Sequence, residues 1–503
     1  MNHLVIAPVL LPLLAGIVLL LMRHIDIRVR RVVSVAAVLG EIGLAIALLA
    51  AVADGDILVY ALGNWPAPYG IVLVADRLSA WLVLTTALLA LFALLAALRG
   101  SDAAGRHFHA LYQLQLFGLA GAFLTGDLFN LFVFFEILLI ASYGLLLHGG
   151  GALRTRAGLH YVVLNLAGST LFLFAVGTLY GVLGTLNLAD LALKVAATPA
   201  EQLGLVRAAG LLLFGVFALK AALLPLHLWL PAAYAQANAP VAALFAIMTK
   251  VGAYSILRVD TLIFGAGAGP VAGLLSPWLL PLALATLAIG TLGAVASRHL
   301  RVQIAYLVVA SAGTLLAAFG LASAKGIGAG LYYLPHTTFA AAAAFLIAEA
   351  IATRRGELAD RLDPGPAIPQ NRILGGFFFV AAVALAGLPP LSGFLGKFLL
   401  LRAALEHAWQ PWVLATVLVA GLFTLIALAR SGSLLFYRTH STQPGRPVRP
   451  IEVAAEFAPV AGLLLLVGML TVAAGPAAEY ALATAGQLLQ PDRYIHAVLG
   501  GGG

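Results

Sequence analysis

Apolar residues in this chain run in long blocks, and charges gather in the short gaps between them. Windows of about 20 apolar residues, the length a helix needs to cross a bilayer, fall at 4–22, 32–52, 77–98, 108–126, 128–147, 159–184, 205–230, 240–264, 277–297, 302–322, 326–351, 373–405, 409–430 and 453–475. The pattern predicts an all-α polytopic membrane protein of about fourteen transmembrane helices. The longest polar stretches, 53–76, 352–372 and 438–452, are too short to fold alone. Whatever the chain does must therefore be done by its helices, with residues 476–503 read as a short Gly- and Ala-rich tail.

Composition agrees: 62% of the 503 residues are hydrophobic and 10% charged, with no cysteine and a mean hydropathy of +1.03. Without cysteine there are no disulfides, thiolate metal sites or iron–sulfur ligands, so redox chemistry would need cofactors held by other chains. The net charge of +8 does not indicate nucleic acid, because its arginines lie in short loops where they set topology. If the first loop, Arg23 to Arg31, is cytoplasmic, alternate loops on that side collect eighteen of the 28 Lys and Arg, among them Arg99, Arg106, Arg154, Arg156, Arg298, Arg301, Arg354, Arg355, Arg361, Arg372, Arg430, Arg438, Arg446 and Arg449. Both termini are then expected on the outer side. The first apolar block ends at Met22-Arg23 without a small-residue cleavage site and reads as a retained helix.

Three of the five lysines, Lys220, Lys250 and Lys397, lie inside apolar blocks, as does Glu136. A fixed charge at the centre of a lipid helix costs roughly 2.5–3.5 kcal/mol on insertion scales, so such residues usually face a protein-lined polar path. Two long windows are interrupted by proline, at Leu224-Pro225-Leu226-His227-Leu228-Trp229-Leu230-Pro231 and at Leu388-Pro389-Pro390-Leu391-Ser392-Gly393. Proline frees carbonyls that lipid cannot satisfy, so both should be broken helices buried among neighbours. Aligning Pro225 with Pro390 also aligns Leu226 with Leu391, Trp229 with Phe394 and Leu230 with Leu395. The expected topology runs the two in opposite directions, as inverted repeats do. Four regions follow: 1–107, a first five-helix repeat at 108–264, a second at 277–430, and 431–503.

With these residues in place, the chain resembles the antiporter-like subunits shared by Mrp-type multisubunit cation/proton antiporters and respiratory complex I. The resemblance covers about residues 60–435. It is carried by Glu136 in a Phe-rich helix, by Lys220 ahead of the Pro225, His227, Trp229, Pro231 break, by Met248-Thr-Lys250-Val-Gly-Ala-Tyr254, and by Gly387-Leu-Pro-Pro-Leu-Ser392-Gly-Phe-Leu-Gly-Lys397-Phe. Gly63-Asn-Trp65 through Asp76, and Leu331-Tyr-Tyr-Leu-Pro-His336, look like the pattern of the D-type Mrp antiporter component. Lys397 fits that component, where some complex I relatives carry glutamate. Pro335 departs from the leucine expected before the histidine. The resemblance implies a bacterial inner-membrane complex with the A, B, C, E, F and G components of the Mrp antiporter as partners, and protons and monovalent cations as cargo.

The chemistry can also be argued from the residues. A lysine in a low dielectric holds its proton poorly, and a nearby carboxylate restores its grip. The expected device is a relay in which Glu136 holds Lys220 protonated in one state, and their separation sends the proton through Lys250 and His336 toward Lys397. Water in the cavities at Pro225, Pro389 and Pro390 would bridge the gaps. Plainer readings stand beside this one: Glu136 as a structural ion-pair partner, His227 as a group satisfying freed carbonyls, His336 as a hydrogen-bonded core residue, or lysines that snorkel. Glu41 lies mid-span and invites contact with a partner subunit, while Glu349 and Asp260 fall near helix ends. Gln113, Gln115, Asn165, Ser311 and Thr314 could line water chains or bond between helices. No nucleotide loop or metal-ligand cluster is visible, and no cofactor is expected. Three functions remain open: a proton-translocating antiporter subunit that is not an enzyme, a pumping subunit of a complex I or hydrogenase type of redox complex, and a scaffold.

Overall fold

The computed structural model describes residues 3–440 and 450–500, so Arg446, Arg449 and the end of the expected tail lie outside the described residues. In chain order the elements are α1 (Ala7–Leu21), α2 (Ile27–Ala51), β1 (Leu58–Ala61), β2 (Val72–Ala75), α3 (Arg77–Ala97), α4 (Phe108–Leu124), α5 (Leu128–Leu147), α6 (Ala152–Leu183), α7 (Leu188–Ala196), α8 (Leu203–Lys220), α9 (Trp229–Gln236), α10 (Ala239–Phe245) and α11 (Met248–Leu262). There follow α12 (Ser276–Ala296), α13 (Leu300–Gly320), α14 (Ala324–Arg354), α15 (Asn371–Ala386), α16 (Ser392–Ala404), α17 (Gln410–Gly432), α18 (Pro450–Val472), α19 (Ala474–Leu488) and α20 (Pro491–Leu499). Among the described residues, twelve helical spans are long and apolar enough to cross a membrane, which makes this a multi-pass membrane protein. Two other expected windows fall on shorter apolar helices, α4 and α15.

Three expectations need correction. The loop at 53–76 contains an antiparallel hairpin in which Leu58 pairs with Ala75 and Ala61 with Val72. Residues 476–500 are not a loose tail, because α19 packs on α14 and α20 follows it. The window at 240–264 is also not one helix: α10 ends at Phe245 and α11 begins at Met248. No proline marks that break, which is why the sequence pattern runs through it.

Short polar residues start the helices where hydropathy alone could not fix the boundary. Asp76 caps α3 in a capping box with Ser79, Asp127 caps α5, and Ser323 caps α14. Loop contacts then sort into two faces. On one, which carries most of the arginines, Arg31 joins Asp102, Arg154 joins Asn238, Arg354 joins Glu456, and Arg301 joins Glu349. On the opposite face, beside the hairpin, Gln487 bonds Gly55, Lys325 bonds Glu406, and Asp127 pairs with Asn187. Among the described residues no loop hydrogen bond crosses between these sets.

The centre is α14, about 46 Å long at 1.5 Å per residue, packed by α3, α10, α13, α15, α16, α18 and α19. Its run of alanines from Ala340 to Ala344 is buried, and such small side chains let neighbouring helices come close in lipid. Pro335 lies inside this helix. It removes the N–H that would have bonded the Leu331 carbonyl, and the Trp81 indole of α3 donates to that oxygen instead, at 3.0 Å. The proline is thus accommodated by a neighbour, and His336 stays helical.

Asp102, 2% exposed, ties α2 to α4 by accepting from Arg31 at 2.7 and 2.8 Å and by meeting His109 at 3.1 Å. Burial alone would raise its carboxyl pKa, but the hydrogen bond and charge of Arg31 outweigh it, so the group sits below its ordinary value. A depressed carboxyl stabilises the fold fully above its unfolded pKa of about 3.9 and loses that contribution as pH falls through the folded value. The purified protein should therefore lose part of its stability below about pH 4, and Asp102→Asn, less stable at pH 7, should lose less on acidification; an unchanged acid profile in thermal melts would refute the assignment. Trp81→Phe should cost about 1–3 kcal/mol by orphaning the Leu331 carbonyl. The loss should shrink in a Pro335→Leu background, where the backbone supplies its own donor; equal losses in both backgrounds would break the account.

Candidate ion-translocation site

The three lysines of the apolar blocks, Lys220 and Lys250 buried and Lys397 partly so, all stand at or near helix breaks. Lys220 is the last residue of α8; Lys250 lies in the first turn of α11, just past the unmarked break; Lys397 lies in α16, just after the break that follows Ala386. In a membrane interior each break leaves carbonyls needing donors. The Trp229 indole bonds the Leu219 carbonyl at 3.0 Å, and the Thr286 hydroxyl of α12 accepts from the Leu224 N–H at 2.8 Å. At the second break Lys397 Nζ donates to the Ala386 carbonyl at 2.8 Å, and the His336 Nε2 contacts the Ala384 carbonyl at 3.2 Å. Gly387, at φ +74°, supplies the turn, and a Cβ there would fall 2.7 Å from Lys397 Cδ. Pro225, Pro389 and Pro390 all lie in the non-helical connections.

Lys220 is 5% exposed. Its Nζ lies 3.1 Å from Asn165 Oδ1 and 5.8 Å from the centre of the Phe135 ring. No ion pair joins it to Glu136, whose Oε1 is buried without a hydrogen-bond partner. The expected Glu136–Lys220 pair is thus open in this structure, and a neutral amide takes the ammonium. Lys250 is fully buried, and its Nζ has no hydrogen-bond partner among the described residues. The two lysines are brought together through backbone: a Cβ on Gly252 would collide with the Ala221 nitrogen, so only glycine lets α11 rest on the end of α8.

His336 is 2% exposed and holds Ser392 Oγ at 2.9 Å through Nδ1. A void of about 20 Å³ beside it is lined by Ser311, Thr314, Thr337, Thr424 and Lys397, which is room for one or two waters with ample polar partners. Histidine and lysine therefore share one void large enough for water. His227 stays apart: it is buried, but its Nδ1 bonds nothing and the imidazole satisfies none of the carbonyls freed at its break. Glu41 is buried within this chain at 4% exposure, with Oε2 unpartnered, and is not presented to a partner. Among the described residues no metal-binding group exists.

Asn165, Ser311 and Thr314, which hydropathy could only note as polar, acquire places beside Lys220 and the His336–Lys397 void. Thr286 and Trp81 were not singled out, and Ser392 was named only as part of the broken-helix motif; a hydroxyl or indole in an apolar run gives no local sign of which distant carbonyl or imidazole it will meet.

A bundle of apolar helices, interrupted within the chain and holding lysines beside the interruptions, defines a multi-pass membrane protein of the ion-transport class. The family model described as "NADH:quinone oxidoreductase/Mrp antiporter, TM" matches residues 125–424, and the chain belongs to that family. It is 42% identical over 532 aligned residues to a probable K+/H+ antiporter component, of type D, from Rhizobium meliloti (strain 1021), covering 99% of this chain and 98% of that one. To the D component of the Na+/H+ antiporter of Alkalihalophilus pseudofirmus it is 38% identical, covering 99% and 100%. A chain in the structure of the Mrp complex from Dietzia sp. DQ12-45-1b superimposes with a TM-score of 0.88 at 29% identity, covering 99% of this chain and 100% of that one. These relatives are transporter components and not enzymes.

Gly252→Val should force α11 off α8, cost about 1–3 kcal/mol as an overpacked contact, and displace Lys250 from Lys220. Thermal melts of the purified protein would show the loss, and wild-type stability would contradict the contact.

Proposed function

We propose that this chain is the proton-translocating subunit of a multisubunit monovalent cation/proton antiporter in a bacterial inner membrane, working with the A, B, C, E, F and G components of an Mrp complex. The observation that carries this reading is the placement of Lys220, Lys250 and Lys397 at three separate helix breaks, with His336 hydrogen-bonded across the third. Protons pass from Lys220 through Lys250 and His336 to Lys397. Glu136 switches the first step: closing on Lys220 it holds the ammonium, and in the open arrangement, with Asn165 in its place, the lysine gives its proton up.

The arginine-rich face is cytoplasmic by the positive-inside rule, the chain crosses fourteen times, and both termini lie outside. The segregation of loop contacts into two faces supports that count. Two inverted repeats, 108–264 and 277–430, are flanked by 1–107 and 431–503. Their helices pack in parallel order, α4 on α5 on α6 on α8, and α12 on α13 on α14 on α16. The cation path is shared with a partner chain, because the described residues hold no cluster of carboxylates that could strip a cation of water.

Everted vesicles carrying this chain with its neighbouring subunits should show sodium- or potassium-triggered collapse of an imposed ΔpH. Lys220→Ala and Glu136→Ala should each abolish it at equal expression and assembly. Normal exchange in either would end the relay reading, and no cation response in an assembled wild-type complex would favour a redox-driven pump.

A further inference from the structure

On α11, Lys250, Tyr254 and Arg258 recur every four residues and so share one helix face. Arg258 therefore sits about 12 Å beyond Lys250, at 1.5 Å per residue, toward the hairpin face. It is 5% exposed, and its Nη2 lies 2.7 Å from Asp76 Oδ2. The other Asp76 oxygen accepts from the Ser79 N–H at 2.9 Å, so each carboxylate oxygen has a partner. Aromatic rings flank the guanidinium, with the Tyr254 ring centre at 5.6 Å and the Tyr494 ring centre, from α20, at 5.2 Å. The Tyr254 hydroxyl is committed to the Phe123 carbonyl at 2.9 Å. The gap beside the pair is only about 10 Å³, room for one water at most. Other acids nearby are Asp127, which accepts from the Asn130 N–H, and the half-buried Asp260.

We propose that the Arg258–Asp76 pair, closed over by Tyr494, seals Lys250 from the hairpin face. Guanidinium stays charged at every accessible pH, so it does not carry a proton onward, and paired with Asp76 it fills the passage as a fixed plug. Aspartate holds the guanidinium in place, the tyrosine rings exclude water, and Tyr254 offers no free hydroxyl to step around the barrier. Protons on Lys250 then have their remaining outlet through His336 and Lys397. The seal rests on the proposed relay, since it assigns Lys250 to the proton path.

The test is passive proton entry into liposomes holding the complete complex, under an imposed ΔpH and without the transported cation. Asp76→Asn combined with Arg258→Gln removes both charges, leaving no lone charge buried. Leak should rise severalfold above wild type. Tyr494→Ala, which leaves the ion pair intact and α11 unaltered, should leak to a smaller degree and covers the case in which the double variant fails to assemble. Adding Lys250→Gln should abolish the leak. Wild-type tightness in the double variant, or in Tyr494→Ala when the double variant does not assemble, overturns the seal, as does a leak that persists without Lys250. Failure of the relay itself shows separately, as normal cation-driven exchange in Lys220→Ala while the liposomes remain tight.

Discussion

A membrane interior offers no water to a bare carbonyl, and the functional geometry of this protein follows from how it meets that constraint. Each departure from regular helix creates a demand for donors. Trp81 answers Pro335, Trp229 answers the first break, and Lys397 with His336 answers the second. At the second break the groups that repair the backbone are themselves able to gain and lose protons. Deprotonating Lys397 need not break its bond to the Ala386 carbonyl, because a neutral amine still donates. What changes is the strength of the bond, roughly halved when the donor is no longer charged. Proton occupancy and helix geometry are in this way joined at one atom.

The first half uses a different device. Lys220 rests on a neutral amide and an aromatic ring, while the nearest carboxylate candidate, Glu136, has an unsatisfied oxygen. Lys250 Nζ has no hydrogen-bond partner among the described residues. A buried amine without a partner is expensive, and the Gly252 contact that fixes α11 against α8 holds Lys250 in that position. Strain of this kind suits a site that must change state, since a fully satisfied pair would have no reason to open.

Much of the helical pattern could be read from apolar blocks, because lipid demands long uninterrupted runs and proline announces its own interruptions. Hydropathy alone could not show the break between Phe245 and Met248, where only tertiary packing ends the helix, or the hairpin, whose strands are four residues each. The final helices were misjudged for a related reason: alanine and glycine look like an idle tail until the close helix contacts they permit are seen. Lys220, Lys250, Lys397, Glu136 and His336 were legible as misplaced charges and polar groups. Their partners were not: Asn165 stands 55 residues from Lys220 and Ser392 stands 56 from His336, and no local pattern spans such distances.

The bonds between the two ends of the chain carry a consequence for how the molecule is made. Gln487 holds the Gly55 carbonyl, Tyr480 the Arg77 carbonyl, and Arg493 again Gly55, across more than four hundred residues. Contacts of such long range close late. A ribosome delivers the hairpin early and these three fastenings last, so the hairpin face goes without them through nearly the whole of synthesis. Insertion of the last helices is then the event that completes the first, and quality control that inspects the hairpin face reads, in one place, whether both ends of the chain have arrived.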